Sequence, residues 1–206
     1  MLALKQHKKR GFRTGIISAI AIVFMSAGLY VLSLTVAPSL APLIVQKPIT
    51  VSALPAPEKT ENRIIIPKIG VNIHYDKGVA ALDRGAQWRH PERGNPVDGS
   101  NFIIAAHRFS IQPTPLGTIE KSPFYSIDKL VVGDKIIVDY EGARYAYEIT
   151  ATFNVTPNQT EIEAASEEPK LTLYSCELDG SAGGRVVINA KPLGKVALGD
   201  QKSDTN

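Results

Sequence analysis

Cys176 is the only cysteine in 206 residues. A lone thiol has no intramolecular disulfide partner, and in an exported chain it is a candidate reactive group. It closes the segment Lys170-Leu171-Thr172-Leu173-Tyr174-Ser175-Cys176, which alternates as a strand does. Leu171, Leu173 and Ser175 fall on one face, and Thr172, Tyr174 and Cys176 on the other. The turn Glu177-Leu178-Asp179-Gly180 begins at once. The next strand is expected to start at Arg185, after Gly183-Gly184, leaving a loop of eight residues. If these two strands pair antiparallel, Cys176 and Arg185 lie side by side at one rim. His107 closes a third apolar strand, Phe102-Ile103-Ile104-Ala105-Ala106. It too stands where a rigid scaffold meets a loop, a common place for catalytic groups.

These residue types suit acyl transfer. A thiol is a weak nucleophile until it loses its proton, and a nearby imidazole and guanidinium favour the thiolate. Imidazole can then protonate a leaving amine. Guanidinium can stabilise a developing oxyanion or orient substrate carbonyls. Taken singly, each residue has a blander reading: an inert small hydrophobe, a structural hydrogen-bonder, a surface cation. The combination at strand ends favours catalysis.

The positioning elements are short and β-like. Arg63-Ile64-Ile65-Ile66 and Val71-Asn72-Ile73 come first, and Asn101 to His107 follows. Asp134 to Tyr140 and Ala143 to Val155 flank Glu141-Gly142, a hairpin signal. Lys170 to Cys176 and Arg185 to Ala190 complete the set. Helical signals are brief, at Gly78 to Asp83, Ser122 to Leu130 and Glu161 to Ser166. Many short strands between turn signals predict a mainly β domain, a closed barrel or sandwich, over residues 63–194.

Before the domain, Gly15 to Val36 is a 22-residue run without charge. As a helix it spans roughly 33 Å, enough for a hydrocarbon core of about 30 Å. It is longer than the apolar region of a cleaved signal peptide, and Pro38 disfavours cleavage after Ala37. The reading is a transmembrane signal anchor at 15–36. Lys5, Lys8, Lys9, Arg10 and Arg13 precede it with no acidic residue, so residues 1–14 are expected to stay in the cytoplasm. The expected location is the cell membrane, single-pass, with the domain extracytoplasmic. Residues 37–62, with five prolines from Pro38 to Pro57, read as an extended spacer. Residues 195–206 read as a disordered tail. Setting the five N-terminal cations aside leaves 18 basic against 20 acidic residues, which excludes a basic nucleic-acid binder. His7, His74, His90 and His107 are scattered without zinc-type spacing, so no metal site is expected.

The nucleophile segment Thr172-Leu173-Tyr174-Ser175-Cys176, with Arg185 nine residues on, resembles the Thr-Leu-x-Thr-Cys motif and following arginine of the sortases. Ala105-Ala106-His107-Arg108 is similar to the family's histidine segment. Ile65-Ile66-Pro67-Lys68-Ile69-Gly70-Val71 is similar to its first strand pair. The resemblance covers roughly Arg63 to Leu193. It implies a closed barrel of about eight strands with a few short helices, preceded by one transmembrane helix. It implies a cysteine transpeptidase in which His107, Cys176 and Arg185 are catalytic. Substrates would be exported proteins bearing a C-terminal sorting signal of the Leu-Pro-x-Thr-Gly type. The acceptor would be an amine of a peptidoglycan precursor or a pilin subunit. Ser175 stands where the family has threonine, keeping a hydroxyl for a substrate hydrogen bond, and Ala105 is a second candidate substrate contact. No cofactor is implied; some members depend on calcium, and no ligand set here can be matched to it.

Cysteine L,D-transpeptidases also use His, Cys and Arg, but with arginine close behind the cysteine; the nine-residue gap argues against them. Papain-like peptidases place Cys before His, the reverse of the order here. The reading from a different class is a membrane-anchored binding module of the same fold with an inert, packed Cys176.

Overall fold

The computed structural model describes residues 7–44 and 49–197, with the side chains of residues 7–13, 43, 44 and 181 aside. Two expectations fall partly outside it: the N-terminal tail at residues 1–6 and the C-terminal tail from residue 198 onward.

The strands are β1 (Arg63–Ile66), β2 (Val71–Lys77), β3 (Ala86–Arg89), β4 (Gly94–Asn95), β5 (Gly99–Ala106), β6 (Lys135–Tyr140), β7 (Ala143–Val155), β8 (Lys170–Glu177) and β9 (Gly180–Lys195). Eight of them close a barrel. Going round, β1 is followed by β2, β3, β5, β8, β9, β7 and β6, and β6 pairs with β1 again. β4 pairs only with β5. The β2–β3 and β5–β8 contacts are parallel and the rest are antiparallel. The expected closed barrel of about eight strands with few helices is therefore the observed fold.

Alternation puts Ile64, Ile66, Phe102, Ile104, Leu171 and Leu173 in the barrel interior, all at most 1% exposed. Tyr75, Trp88, Phe102 and Tyr140 pack edge to face there, with ring centroids 5.6–6.3 Å apart. That geometry suits the ring quadrupoles. Two polar anchors sit at the wall. Arg144 forks onto Asp139 with two bonds of 2.7 Å, and both side chains are 3% exposed. Arg144 also donates to Pro55 O at 2.9 Å, which ties the segment before β1 to the β6–β7 hairpin. The turn of that hairpin is Glu141-Gly142, with φ of 48° and 77°. Positive φ at both central residues marks the tight hairpin turn its sequence suggested.

Helix α1 (His7–Ile44) carries the apolar run, and its stretch Thr14–Pro42 is long and apolar enough to cross a membrane. It does not stop at Val36. The extended spacer expected from residue 37 is helical as far as Ile44, through Pro38 and Pro42. An interior proline costs a helix about 3 kcal/mol, so packing must offset it. Leu34, Pro38 and Ala41 form a buried stripe. Pro38 and Ala41 border Ile69–Ile73, and a cavity lined by Leu32, Val36 and Leu40 adjoins the short helix α2 (Pro115–Glu120). The expected helical segments shrink to single 3-10 turns at Val79–Asp83, Ile127–Lys129 and Thr160–Glu163.

Candidate active site

β8 positions Cys176 by parity. Leu171, Leu173 and Ser175 point into the barrel and are buried; Thr172, Tyr174 and Cys176 take the outer face. Cys176 is a half-buried free thiol. In the β8–β9 ladder it stands directly across from Arg185, the adjacency expected from sequence. Val186 and Ile188 belong to the core, so Arg185 shares the outer face with Cys176. The connection differs from expectation. β8 runs to Glu177, which pairs with Gly180 across a two-residue turn, and the register then shifts so that residues 181–184 bulge out before Arg185 meets Cys176. The glycines of residues 180–184 read as loop, yet they continue the strand. Gly184 is required where it stands: φ is +137°, and a Cβ there would lie 2.8 Å from Val155 O of β7. Arg185 Nη1 donates to Gly184 O at 2.8 Å.

β5 brings His107 from the other side. The parallel β5–β8 register pairs Ala105 with Tyr174. Cys176 lies two residues beyond Tyr174 on β8, and His107 follows directly after the end of β5. Phe102, Ile104 and Ala106 are inside, and Asn101, Ile103 and Ala105 alternate with them on the outer face up to His107. Neighbouring strands lie about 4.8 Å apart. The thiol is thus flanked by the imidazole segment on one side and the guanidinium strand on the other.

Several contacts hold this arrangement that sequence reasoning did not find. The His107 carbonyl accepts the Phe124 N–H at 3.1 Å. Arg108 turns inward, 6% exposed, pairs with Asp128 at 3.0 Å and reaches Tyr125 O. The only sequence signal for this was an arginine directly after the histidine. Ser175 is 1% exposed and donates its hydroxyl to Ala106 O at 2.7 Å. That hydroxyl joins the ends of β8 and β5. Ala105 lies on the outer face, 7% exposed, paired across from Tyr174.

A second polar cluster borders the same face. Glu163, in the β7–β8 connection, accepts two bonds from Arg89 at 2.8 and 3.0 Å. It also meets His90 Nε2 at 2.9 Å and accepts the Tyr174 hydroxyl. Burial alone would push this carboxyl up, but bonds from Arg89, Tyr174 and His90 hold it down at about 2. Burial and the Glu163 charge push the Tyr174 phenol up. Among the described residues, no three His, Cys, Asp or Glu side chains gather as a metal site.

The register sets Cys176 across from Arg185 and places the segment that ends in His107 along the other side of β8, so residue types suited to acyl transfer are neighbours in the fold. The sortase domain model matches residues 64–193. The chain belongs to the sortase family, whose members are cysteine transpeptidases. Among solved structures, a Clostridium perfringens sortase D5 transpeptidase is 28% identical, with TM-score 0.53, covering 65% of this chain and 79% of its own. Sortase E1 from Streptomyces coelicolor, solved with a tripeptide in the active site, is 20% identical, with TM-score 0.57, covering 70% and 94%. Sortase A of Listeria monocytogenes is 20% identical, with TM-score 0.54, covering 69% and 92%. The last two show likeness of fold. A comparison with curated proteins finds no match.

Proposed function

We propose that this chain is a membrane-anchored sortase that cleaves a C-terminal sorting signal of the Leu-Pro-x-Thr-Gly type on exported proteins. The observation that supports it best is the register that sets Cys176 across from Arg185, with His107 just past the end of β5 on the other side of β8. The Cys176 thiolate attacks the carbonyl carbon of the scissile peptide bond. A C–S bond forms, the C–N bond breaks, and His107 gives its proton to the departing amine. The acyl group is then a thioester on Cys176. An amine from a peptidoglycan precursor or a pilin subunit attacks that carbonyl, His107 takes the amine's proton, a C–N bond forms, and the C–S bond breaks to return the Cys176 thiolate and protonated His107. Arg185 steadies the substrate carbonyls and the oxyanion of both tetrahedral intermediates. Ala105 offers a small apolar contact beside His107.

The helix Thr14–Pro42 holds the enzyme at the membrane, N-terminus inside and barrel outside, where exported substrates emerge. Confinement to one surface raises their effective concentration. The test uses full-length protein in detergent and a panel of signal peptides with an added amine. Wild-type protein is expected to cleave a peptide and join its acyl part to the amine, and Cys176→Ala to lose both. Undiminished cleavage by Cys176→Ala contradicts the scheme. An unreactive Cys176 and no turnover in wild type would favour an inert binding module instead.

A further inference from the structure

The β7–β8 connection, residues 156–169, lies against the outer face of β5 and β8 on bonds that converge from several strands. Asn101, 0% exposed, donates to both Ile162 O and Ala164 O at 2.9 and 2.7 Å. Thr172, buried beneath, donates to Asn101. Ser166 N donates to Ser100 Oγ at 3.1 Å. Arg93 Nη1 donates to Glu163 O at 2.6 Å. The Glu163 carboxylate completes the set, holding Arg89, His90 and Tyr174 together.

Position along β8 gives this fastening its meaning. Thr172, Tyr174 and Cys176 succeed one another on one face, about 7 Å apart. Thr172 is fully buried and bonded to Asn101, which holds the connection; the connection reaches Tyr174 through Glu163, and Cys176 is half open. Its edge is therefore a wall one side chain short of the nucleophile. Tyr174, tied by its hydroxyl, forms the floor between wall and thiol. A peptide reaching Cys176 along this face must lie against both.

We propose that Glu163 is a positioning residue: its carboxylate clamps the β7–β8 connection and the Tyr174 ring into a preformed groove that binds the acyl side of the substrate next to Cys176. The inference rests on the sortase reading for the identity of the peptide, and adds the residue that shapes the groove. Four protein donors neutralise and orient the carboxylate, so the wall is ordered before substrate arrives. Preorganisation of this kind lowers the cost of binding rather than the barrier of the chemical step.

The test compares full-length wild type, Glu163→Gln and Tyr174→Phe in detergent, with a fluorogenic Leu-Pro-Ala-Thr-Gly peptide and hydrogen exchange over residues 156–169. Glu163→Gln keeps the size and removes the charge; Tyr174→Phe removes one bond and guards against a Gln variant that fails to fold. Glu163→Gln is expected to raise KM about tenfold with kcat within about twofold. Exchange at residues 160–166 should speed up, while the rate at which a small methanethiosulfonate labels Cys176 stays within about twofold, since the thiol's own neighbours are untouched. Tyr174→Phe should move KM the same way by less. Unchanged KM with faster exchange, or a loss carried by kcat alone, overturns the proposal. So does unchanged exchange in both variants. Exchange reads the clamp without substrate, so a wild type that cleaves no peptide counts against the proposed reaction and leaves the clamp still decided.

Discussion

Cys176 and Arg185 sit opposite each other on adjacent strands, and His107 directly follows the strand on the other side of β8; register sets their order. Glu163 works in the opposite way, placed by its bonds to Arg89, His90 and Tyr174. Its carboxyl is held near 2 against an ordinary value of 4.5. A depressed acid contributes stability that is fully present above its unfolded value and fades as pH falls toward its folded one. Wild type should therefore lose stability between about pH 4.5 and 2 through this group, and Glu163→Gln should lack that component. Melting temperatures of both proteins across that window check it; parallel curves would remove the clamp's charge from the account. Arg89, His90 and Tyr174 are 74, 73 and 11 residues away from Glu163, and no local pattern links them. That separation is why the cluster was illegible in sequence, while Cys176 and Arg185, close in sequence and on consecutive strands, could be placed side by side.

At the scale of elements, the β6–β7 hairpin and β8 were readable because alternation and turn chemistry are local. β3 was not: Ala86-Gln87-Trp88-Arg89 has no clean alternation, and its strand character comes from pairing between β2 and β5. The start of β9 was misread because small residues and glycines signal a loop, whereas here Gly184 permits the close approach of Val155 O. Pro38 and Pro42 were read as part of an extended spacer; they lie inside the helix, where Leu34, Pro38 and Ala41 are buried. The β6–β7 hairpin depends on its buried ion pair. Arg144→Met leaves the Asp139 carboxylate buried without its partner and should cost about 3–5 kcal/mol. Denaturant unfolding measures this directly, and a loss under 1 kcal/mol would show that water or a rearranged neighbour replaces the guanidinium.

The whole molecule joins a helix suited to a bilayer to a barrel whose reactive rim lies on its outer face. Thr14–Pro42 is 29 residues, longer than the roughly 20 a bilayer core needs. The surplus packs on α2 and Ile69–Ile73, so the barrel is expected to sit close to the membrane surface. In cells, the chain should stay with membranes through alkaline carbonate washing, and protease added outside should digest the barrel. Release by carbonate, or full protection in intact cells, would contradict the anchor or its orientation. The most direct test of the account is the intact mass of the full-length protein quenched in acid after mixing with signal peptides. The account predicts an acyl adduct on Cys176, sensitive to hydroxylamine and absent from Cys176→Ala. An adduct that persists in Cys176→Ala, or none in wild type with a peptide that it demonstrably cleaves, would contradict it.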